Sequence, residues 1–204
     1  MVPEAIFFYI CLMTKAELRK TSNQFRKALS DAKLQELSLG LLEQFKKLDF
    51  SAIQTIHIFL PIKEKKEPDT FLIIDWLQQQ HPLIKIIVPK ADFNTLLMTH
   101  HPFTGHEGLK ANLFNILEPE RADLHTGDID LVLVPLLAVD RRGYRVGYGK
   151  GFYDRFLKGI DTIKVGISLF EPVDDITDPD EYDIPLDACI TPHRRYDFRT
   201  NVGV

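Results

Sequence analysis

The stretch IDLVLVP, Ile129 to Pro135, constrains this chain more than any other, because it is apolar without alternation. A strand that is apolar on both sides has to be covered on both, which is the habit of largely parallel sheets flanked by helices. IQTIHIFL (Ile53 to Leu60, closed by Pro61), LIKIIVP (Leu83 to Pro89), IKVGIS (Ile163 to Ser168) and ACIT (Ala188 to Thr191) have the same strand-like character, and TLLMTH (Thr95 to His100) adds another. Between them the period changes. Leu18, Phe25 and Leu29 share one helical stripe, and Lys15, Arg19 and Arg26 fall on an adjoining one. Leu34, Leu37, Leu41, Phe45 and Leu48 follow Ser30 at helical spacing, and Leu72, Ile73, Trp76 and Leu77 follow Asp69 or Thr70, either of which can cap. Residues His101 to Asp128 read as loop. Strands alternating with helices predict an α/β fold with a mostly parallel sheet covered on both faces.

Composition narrows the function. With 204 residues and 45% hydrophobic content, the chain can bury an ordinary core, and no repeat or flexible linker divides it. One domain over residues 13–198 is expected, with 199–204 as a tail. A net charge of −4 argues against non-specific nucleic-acid binding. Two cysteines, Cys11 and Cys189, make neither a disulfide framework nor a zinc cluster, so a reduced, cytoplasmic setting is expected. The run AIFFYICLM (Ala5 to Met13) is too short to span a membrane and follows Glu4 rather than a basic segment. Residues 1–12 are therefore read as an N-terminal extension or gene-start artefact, with neither anchor nor signal peptide.

The chemistry concentrates in DLVLVPLLAVDRRGYRVGYGKGFYDRFL, residues 130–157. A buried strand delivers the chain to a turn carrying Gly143, Gly147, Gly149 and Gly151, which feeds a helix from about Gly151 to Lys158. Alternating glycines let backbone approach a ligand closely, and phosphate is the natural guest of such a turn. Arg145 and Lys150 supply cations, and Asp154 a carboxylate of the kind that shares Mg²⁺ with nucleotide phosphates. The run is neither a Walker loop, lacking Gly-Lys-[Ser/Thr], nor a dinucleotide-binding turn, its third glycine coming too early.

This block resembles the signature of the 5-formyltetrahydrofolate cyclo-ligases, also called 5,10-methenyltetrahydrofolate synthetases. KAELR at Lys15 to Arg19, IFLPI and EPDT between Ile58 and Thr70, FNILEP at Phe114 to Pro119 and YDIPLDACIT at Tyr182 to Thr191 resemble the family in the same order. Leu136 stands where the family usually has glycine, and Val139 where an aromatic is common. The resemblance implies a three-layer α/β/α fold related to sugar-phosphate isomerase and CoA-transferase-like domains. It implies a monomer that closes 5-formyltetrahydrofolate to 5,10-methenyltetrahydrofolate with ATP and Mg²⁺, releasing ADP and phosphate after the formyl oxygen is phosphorylated. By the same resemblance Lys15 and Arg19 contact ATP, and Arg145, Gly147, Tyr148, Gly149, Lys150, Gly151, Phe152 and Tyr153 form the nucleotide loop. Lys150 is the γ-phosphate partner, and Arg145 and Tyr153 share the catalytic role, Tyr153 at the junction of the two ligands. Leu60, Glu67 and Phe114 line the folate site together with Tyr148 through Phe152, and Asp154 and Asp183 hold magnesium.

Without the resemblance several of these residues read blandly. Lys15, Arg19 and Arg26 would be a solvated helix face, Glu67 a surface loop charge, Phe114 a core aromatic, and Glu171 to Asp183 a solvated acidic loop. His100, His101 and His106 read as structural or surface residues. Two rivals remain: an ATP-dependent kinase or ligase of another small anion, and a non-catalytic folate- or nucleotide-binding relative.

Overall fold

The computed structural model describes residues 12–112, 115–120 and 123–199. The chain opens with a short strand, β1 (Leu12–Met13), and helix α1 (Lys15–Ala28). A reciprocal cap starts α1: Thr14 Oγ1 accepts from the Glu17 N–H at 3.3 Å, and the Glu17 carboxylate accepts from the Thr14 N–H at 2.9 Å. Helix α2 (Asp31–Phe45) starts the same way, with Ser30 Oγ accepting from the Lys33 N–H. Then come β2 (Thr55–His57), α3 (Phe71–Gln80), β3 (Lys85–Asp92), β4 (Leu97–Pro102), β5 (Leu109–Ala111) and β6 (Leu117–Pro119). The chain continues through β7 (Leu131–Pro135), β8 (Ala138–Val139), β9 (Arg145–Val146), α4 (Phe152–Leu157), β10 (Ile163–Ile167), β11 (Asp175–Ile176), β12 (Ala188–Ile190) and β13 (Arg195–Asp197).

Seven strands make the main sheet, in the order β13-β12-β10-β7-β2-β3-β4. The ladders from β12 across to β3 are parallel, and an antiparallel strand closes each edge. The unbroken apolar run of β7 sits at the centre, as a strand buried on both faces must. Its odd positions, Leu131 and Leu133, pack with Ile56, Ile58, Leu41, Phe45, Ile74 and Leu77 beneath α2 and α3. Its even positions, Val132 and Val134, pack on the other face with Leu157 of α4, Leu186, Cys189 and Phe198. The mostly parallel α/β sheet with helices on both faces is therefore observed.

Four details differ from the sequence reading. Of Ile53 to Leu60 only Thr55–His57 is strand, although the Ile58 N–H still donates to the Ile87 carbonyl at 2.9 Å. Residues Phe59 and Leu60 stay buried but leave the ladder, so apolar content there reports burial rather than pairing. Thr95 belongs to the turn before β4, where Leu96 takes a φ of 59° and donates to the Asp92 carbonyl. The stretch read as loop, His101 to Asp128, contains the end of β4 and the antiparallel pair β5–β6, whose strands of three residues are too short to leave a period in sequence. Leu12, assigned to the N-terminal extension, pairs in parallel with Asp175.

On the α4 side of the sheet lies a buried aromatic cluster. The His57 ring stands 5.1 Å from His100, 5.0 Å from Phe156 and 5.9 Å from Tyr153, centroid to centroid. Burial holds the His57 imidazole well below its ordinary pKa and brings His100 down to about 4, with the neighbouring histidines adding to both effects. Both rings are thus neutral packing elements at physiological pH, as the structural reading of His100 expected.

Candidate active site

The glycine-bearing turn is organised by one carboxylate. Asp140, fully buried after β8, accepts from the backbone N–H groups of Arg142 (2.9 Å), Tyr144 (3.0 Å) and Ile176 (3.2 Å), and from the Arg142 guanidinium at 2.7 Å. This reverses the chain into β9. Gly143 is required in the reversal: its φ is +89°, and an added Cβ would stand 2.7 Å from the Leu186 carbonyl oxygen. Beyond β9, Gly149 and Gly151 take φ values of +84° and +67°, and nothing lies within 4 Å of a Cβ built on Gly147. The backbone is thereby open at Gly147, while the Arg19 guanidinium lies over Gly149 and that of Arg155 over Gly151. Helix α4, at six residues, is shorter than expected and contributes little dipole. Cationic side chains carry the electrostatics instead.

These elements line a cavity of about 860 Å³. On one side, Arg19 Nε donates to the Gly147 carbonyl at 2.9 Å, pinning α1 to the turn. Lys15, at the start of the same helix, meets Asp180 at 2.8 Å and Asp183 at 2.6 Å. Partial burial works against its charge, but the hydrogen bonds to the two aspartates outweigh burial and raise its pKa above the ordinary lysine value. Arg145 is buried and meets Asp154 Oδ1 at 2.6 Å, while its other arm donates to the Ile184 carbonyl. Burial lowers its pKa, with Asp154 acting in the opposite sense. Lys150 is exposed on the turn, and among the described residues its ammonium makes no ion pair.

On the other side the wall is apolar, built from Phe59, Leu60, Ile62, Ile116 and Leu117, with Glu67 set into it. Glu67 is only 5% exposed, so it is not a surface charge. Its Oε2 accepts from the Ile62 N–H at 2.8 Å, and its Oε1 accepts from the Tyr148 hydroxyl at 2.7 Å. Burial raises its pKa, opposed by the Ile62 N–H, Arg26, Tyr148 and Lys65. Arg26 is likewise no member of a solvated face: it is 2% exposed and donates to the Tyr148 hydroxyl at 3.0 Å and the Leu136 carbonyl at 2.5 Å. Tyr153 lies between the two walls, with its hydroxyl buried and unpartnered among the described residues. Burial pushes that phenol's pKa up, so it remains a proton-bearing donor. Phe152 packs edge-on against Phe93, at 5.4 Å.

All the site residues named from sequence line this one cavity except Phe114, which lies outside the described residues. Leu136 does not line it; its side chain packs with Val134, Leu186 and Cys189 on the core side. Sequence reasoning missed Phe93, Met98, Ile116 and Glu118, which also line it. Phe93 lay between two expected strands, Met98 within TLLMTH, and Ile116 and Glu118 within FNILEP, none with a site signal of its own. Among the described residues no group of three or more His, Cys, Asp or Glu side chains is arranged to hold a metal ion. Asp154 and Asp183 both line the cavity; one oxygen of each pairs with Arg145 or Lys15, and the other makes no hydrogen bond or ion pair among the described residues. That donor set fits a hard divalent cation that takes its remaining ligands from phosphate and water.

The profile of the 5-formyltetrahydrofolate cyclo-ligase family matches residues 12–192. The chain belongs to that family. A 5-formyltetrahydrofolate cyclo-ligase of Mycoplasma pneumoniae is 30% identical over 183 residues, covering 87% of this chain and 98% of the relative. The Escherichia coli K12 5-formyltetrahydrofolate cyclo-ligase is 28% identical over 150 residues, covering 71% of this chain and 81% of its own length. The solved structure of Aquifex aeolicus 5,10-methenyltetrahydrofolate synthetase superposes with a TM-score of 0.78 at 28% identity, covering 94% of this chain and 96% of that one. As a member of the cyclo-ligase family the chain is an enzyme, and the substrate class of the family is a reduced folate. No helix among the described residues is long and apolar enough to cross a membrane.

Proposed function

We propose that this cyclo-ligase converts 5-formyltetrahydrofolate to 5,10-methenyltetrahydrofolate in a single catalytic domain, with ATP and Mg²⁺, as a cytoplasmic monomer. The observation that carries the reading is the meeting, in one cavity, of the open glycine turn bearing Lys150 with the apolar wall bearing Leu60 and Glu67. The first suits a polyphosphate and the second a flat heteroaromatic acid amide.

The chemistry needs activation. An amide-like formyl oxygen is a poor leaving group until it is phosphorylated. In the proposed path that oxygen attacks the γ-phosphorus of ATP, the bond to ADP breaks, and an imidoyl phosphate forms on the folate. Nitrogen-10 then attacks the activated carbon, phosphate departs with the former formyl oxygen, and the nitrogen-10 proton is lost. Such transfer asks the protein for in-line placement and charge neutralisation rather than a nucleophile. Lys150, exposed on its turn and without an ion pair among the described residues, reaches the transferring phosphoryl group. Arg19 fixes the turn through the Gly147 carbonyl, and Lys15 and Arg145, each paired with carboxylates, add positive charge beside the phosphates. The backbone at Gly147, Gly149 and Gly151 approaches them closely. Asp154 and Asp183 would hold Mg²⁺, which when bound neutralises phosphate charge. On the folate side, Leu60 and Phe152 pack against the rings and Glu67 accepts from ring N–H groups. Tyr148 links the two halves, and the Tyr153 hydroxyl is placed to orient the formyl oxygen.

The test is an absorbance assay with purified protein, 5-formyltetrahydrofolate and Mg²⁺, with and without ATP. The expected result is ATP-dependent appearance of the methenyl chromophore with one ADP per product. ADP release without that product would contradict the reading and favour a kinase or ligase of another substrate. Folate binding without either product would favour a non-catalytic relative.

A further inference from the structure

The two halves of the cavity are joined by a chain of buried hydrogen bonds that neither half requires by itself. Arg26, from α1, donates to the Tyr148 hydroxyl (3.0 Å); that hydroxyl donates to Glu67 Oε1 (2.7 Å); and Glu67 Oε2 accepts from the Ile62 N–H (2.8 Å). The second arm of Arg26 is held by the Leu136 carbonyl, at the end of the central strand. Tyr148 lies within the glycine turn, between Gly147 and Gly149, whereas Glu67 belongs to the apolar wall. A buried carboxylate that faces no cation and has no hydrogen bond is strongly disfavoured, and so is a buried guanidinium without acceptors. Here the Tyr148 hydroxyl serves both, accepting from Arg26 and donating to Glu67, while the Arg26 Nε has no hydrogen-bond partner among the described residues.

We propose that Arg26 is a positioning residue: acting through Tyr148, it fixes Glu67 as an oriented carboxylate, so that the folate wall and the glycine turn are set as one unit. This rests on the reading of the cavity as a formylfolate site, since the effect is read in folate binding. Arg26 itself is absent from the cavity lining, so it acts through its neighbours rather than on a ligand.

The bond pattern gives the proposal a distinctive signature. The charged and titratable groups facing Glu67 are Arg26 from α1, Tyr148 from the glycine turn, Tyr153 from α4 and Lys65 from its own segment. Glu118, on the neighbouring β6, is engaged by Asn112 and by the Ala91 N–H. Burial raises the Glu67 pKa, and Arg26 is the guanidinium that opposes the rise. An ionised Glu67 can accept two side-by-side N–H donors, and protonation turns one oxygen into a donor that repels them. Folate affinity should therefore fall on the acid side, and the position of that fall should depend on the charge at residue 26.

The experiment is calorimetric titration of 5-formyltetrahydrofolate into wild-type protein, Arg26→Lys and Arg26→Gln, from about pH 5 to about pH 8. Thermal melting of the three proteins accompanies it. Arg26→Gln, which removes the charge, is expected to move the acid fall in affinity up by about one pH unit, equivalent to about tenfold weaker binding on that limb. Arg26→Lys, which keeps the charge but not the fork, is expected to leave the limb in place. It should weaken binding about three- to tenfold at every pH. A loss in Arg26→Gln that is uniform across pH would mean a merely structural residue and would overturn the inference. Unchanged affinity in both variants would overturn it as well. The absorbance assay on the same wild-type preparation separates the two levels: turnover with unmoved limbs removes the role of Arg26 alone, and absence of turnover removes the reading beneath it.

Discussion

Lys150→Ala is expected to lower ATP-dependent formation of the methenyl product by about a thousandfold, the size of effect seen when one donor to a developing anion is removed. The cavity's cations differ in how they are paired. Lys15 is spent on Asp180 and Asp183, Arg145 on Asp154 and the Ile184 carbonyl, and Arg19 on the Gly147 carbonyl. Lys150 alone among these four has no such partner, so its charge is fully available to the γ-phosphoryl group. Its side chain is exposed and packs against little, and its own carbonyl is held by Arg155 whatever the side chain. The melting temperature should therefore stay at the wild-type value. Undiminished turnover in the folded variant would remove Lys150 from the mechanism.

Asp140→Ala is expected to be the most damaging change outside the ligand-contacting residues, with a loss of about 3–5 kcal/mol in folding stability. The carboxylate is wholly buried, and the substitution strands the N–H groups of Arg142, Tyr144 and Ile176 in a space that water enters poorly. It also removes the partner of the Arg142 guanidinium. Arg142 is half exposed and keeps both Asp175 and the Ile176 carbonyl, so the backbone donors account for most of the expected loss. Urea unfolding measures this directly. A loss below about 1 kcal/mol, within the range of ordinary substitutions, would show that the β8–β9 reversal does not depend on Asp140. Surviving folded protein should also bind ATP more weakly, because the same reversal aims the glycine turn.

How much of this was legible in the sequence depends on the scale of the signal. The central sheet was readable because strands buried on both faces concentrate apolar residues, unbroken over Leu131 to Pro135 and interrupted by Lys164 and Gly166 in Ile163 to Ser168. The helices were readable because α1 and α2 carry both a period and a side-chain cap, Thr14 and Ser30. The β5–β6 pair was not, since three-residue strands hold no period and their partners are set by tertiary contacts. The glycine turn announced itself, but the carboxylate that shapes it did not. Asp140 stands in VDRRG as one charge among several, and only the fold reveals its burial. Arg26 was misread for a related reason: its spacing put it on the face with Lys15 and Arg19, and spacing cannot tell a solvated stripe from one covered by a distant loop. The resemblance supplied Glu67, whereas its burial and its bond to Tyr148 belong to the structure.

The account stands on phosphorylation of the formyl oxygen, and one measurement addresses that step without passing through any residue. 5-Formyltetrahydrofolate carrying a heavy-oxygen label on its formyl group is converted with ATP in ordinary water, and the released phosphate is analysed by mass. The account predicts that the label appears in inorganic phosphate, one labelled oxygen for each methenyl product. Unlabelled phosphate, with the heavy oxygen recovered in water, would show that ATP is cleaved without passing its phosphoryl group to the folate, and would contradict the proposed path.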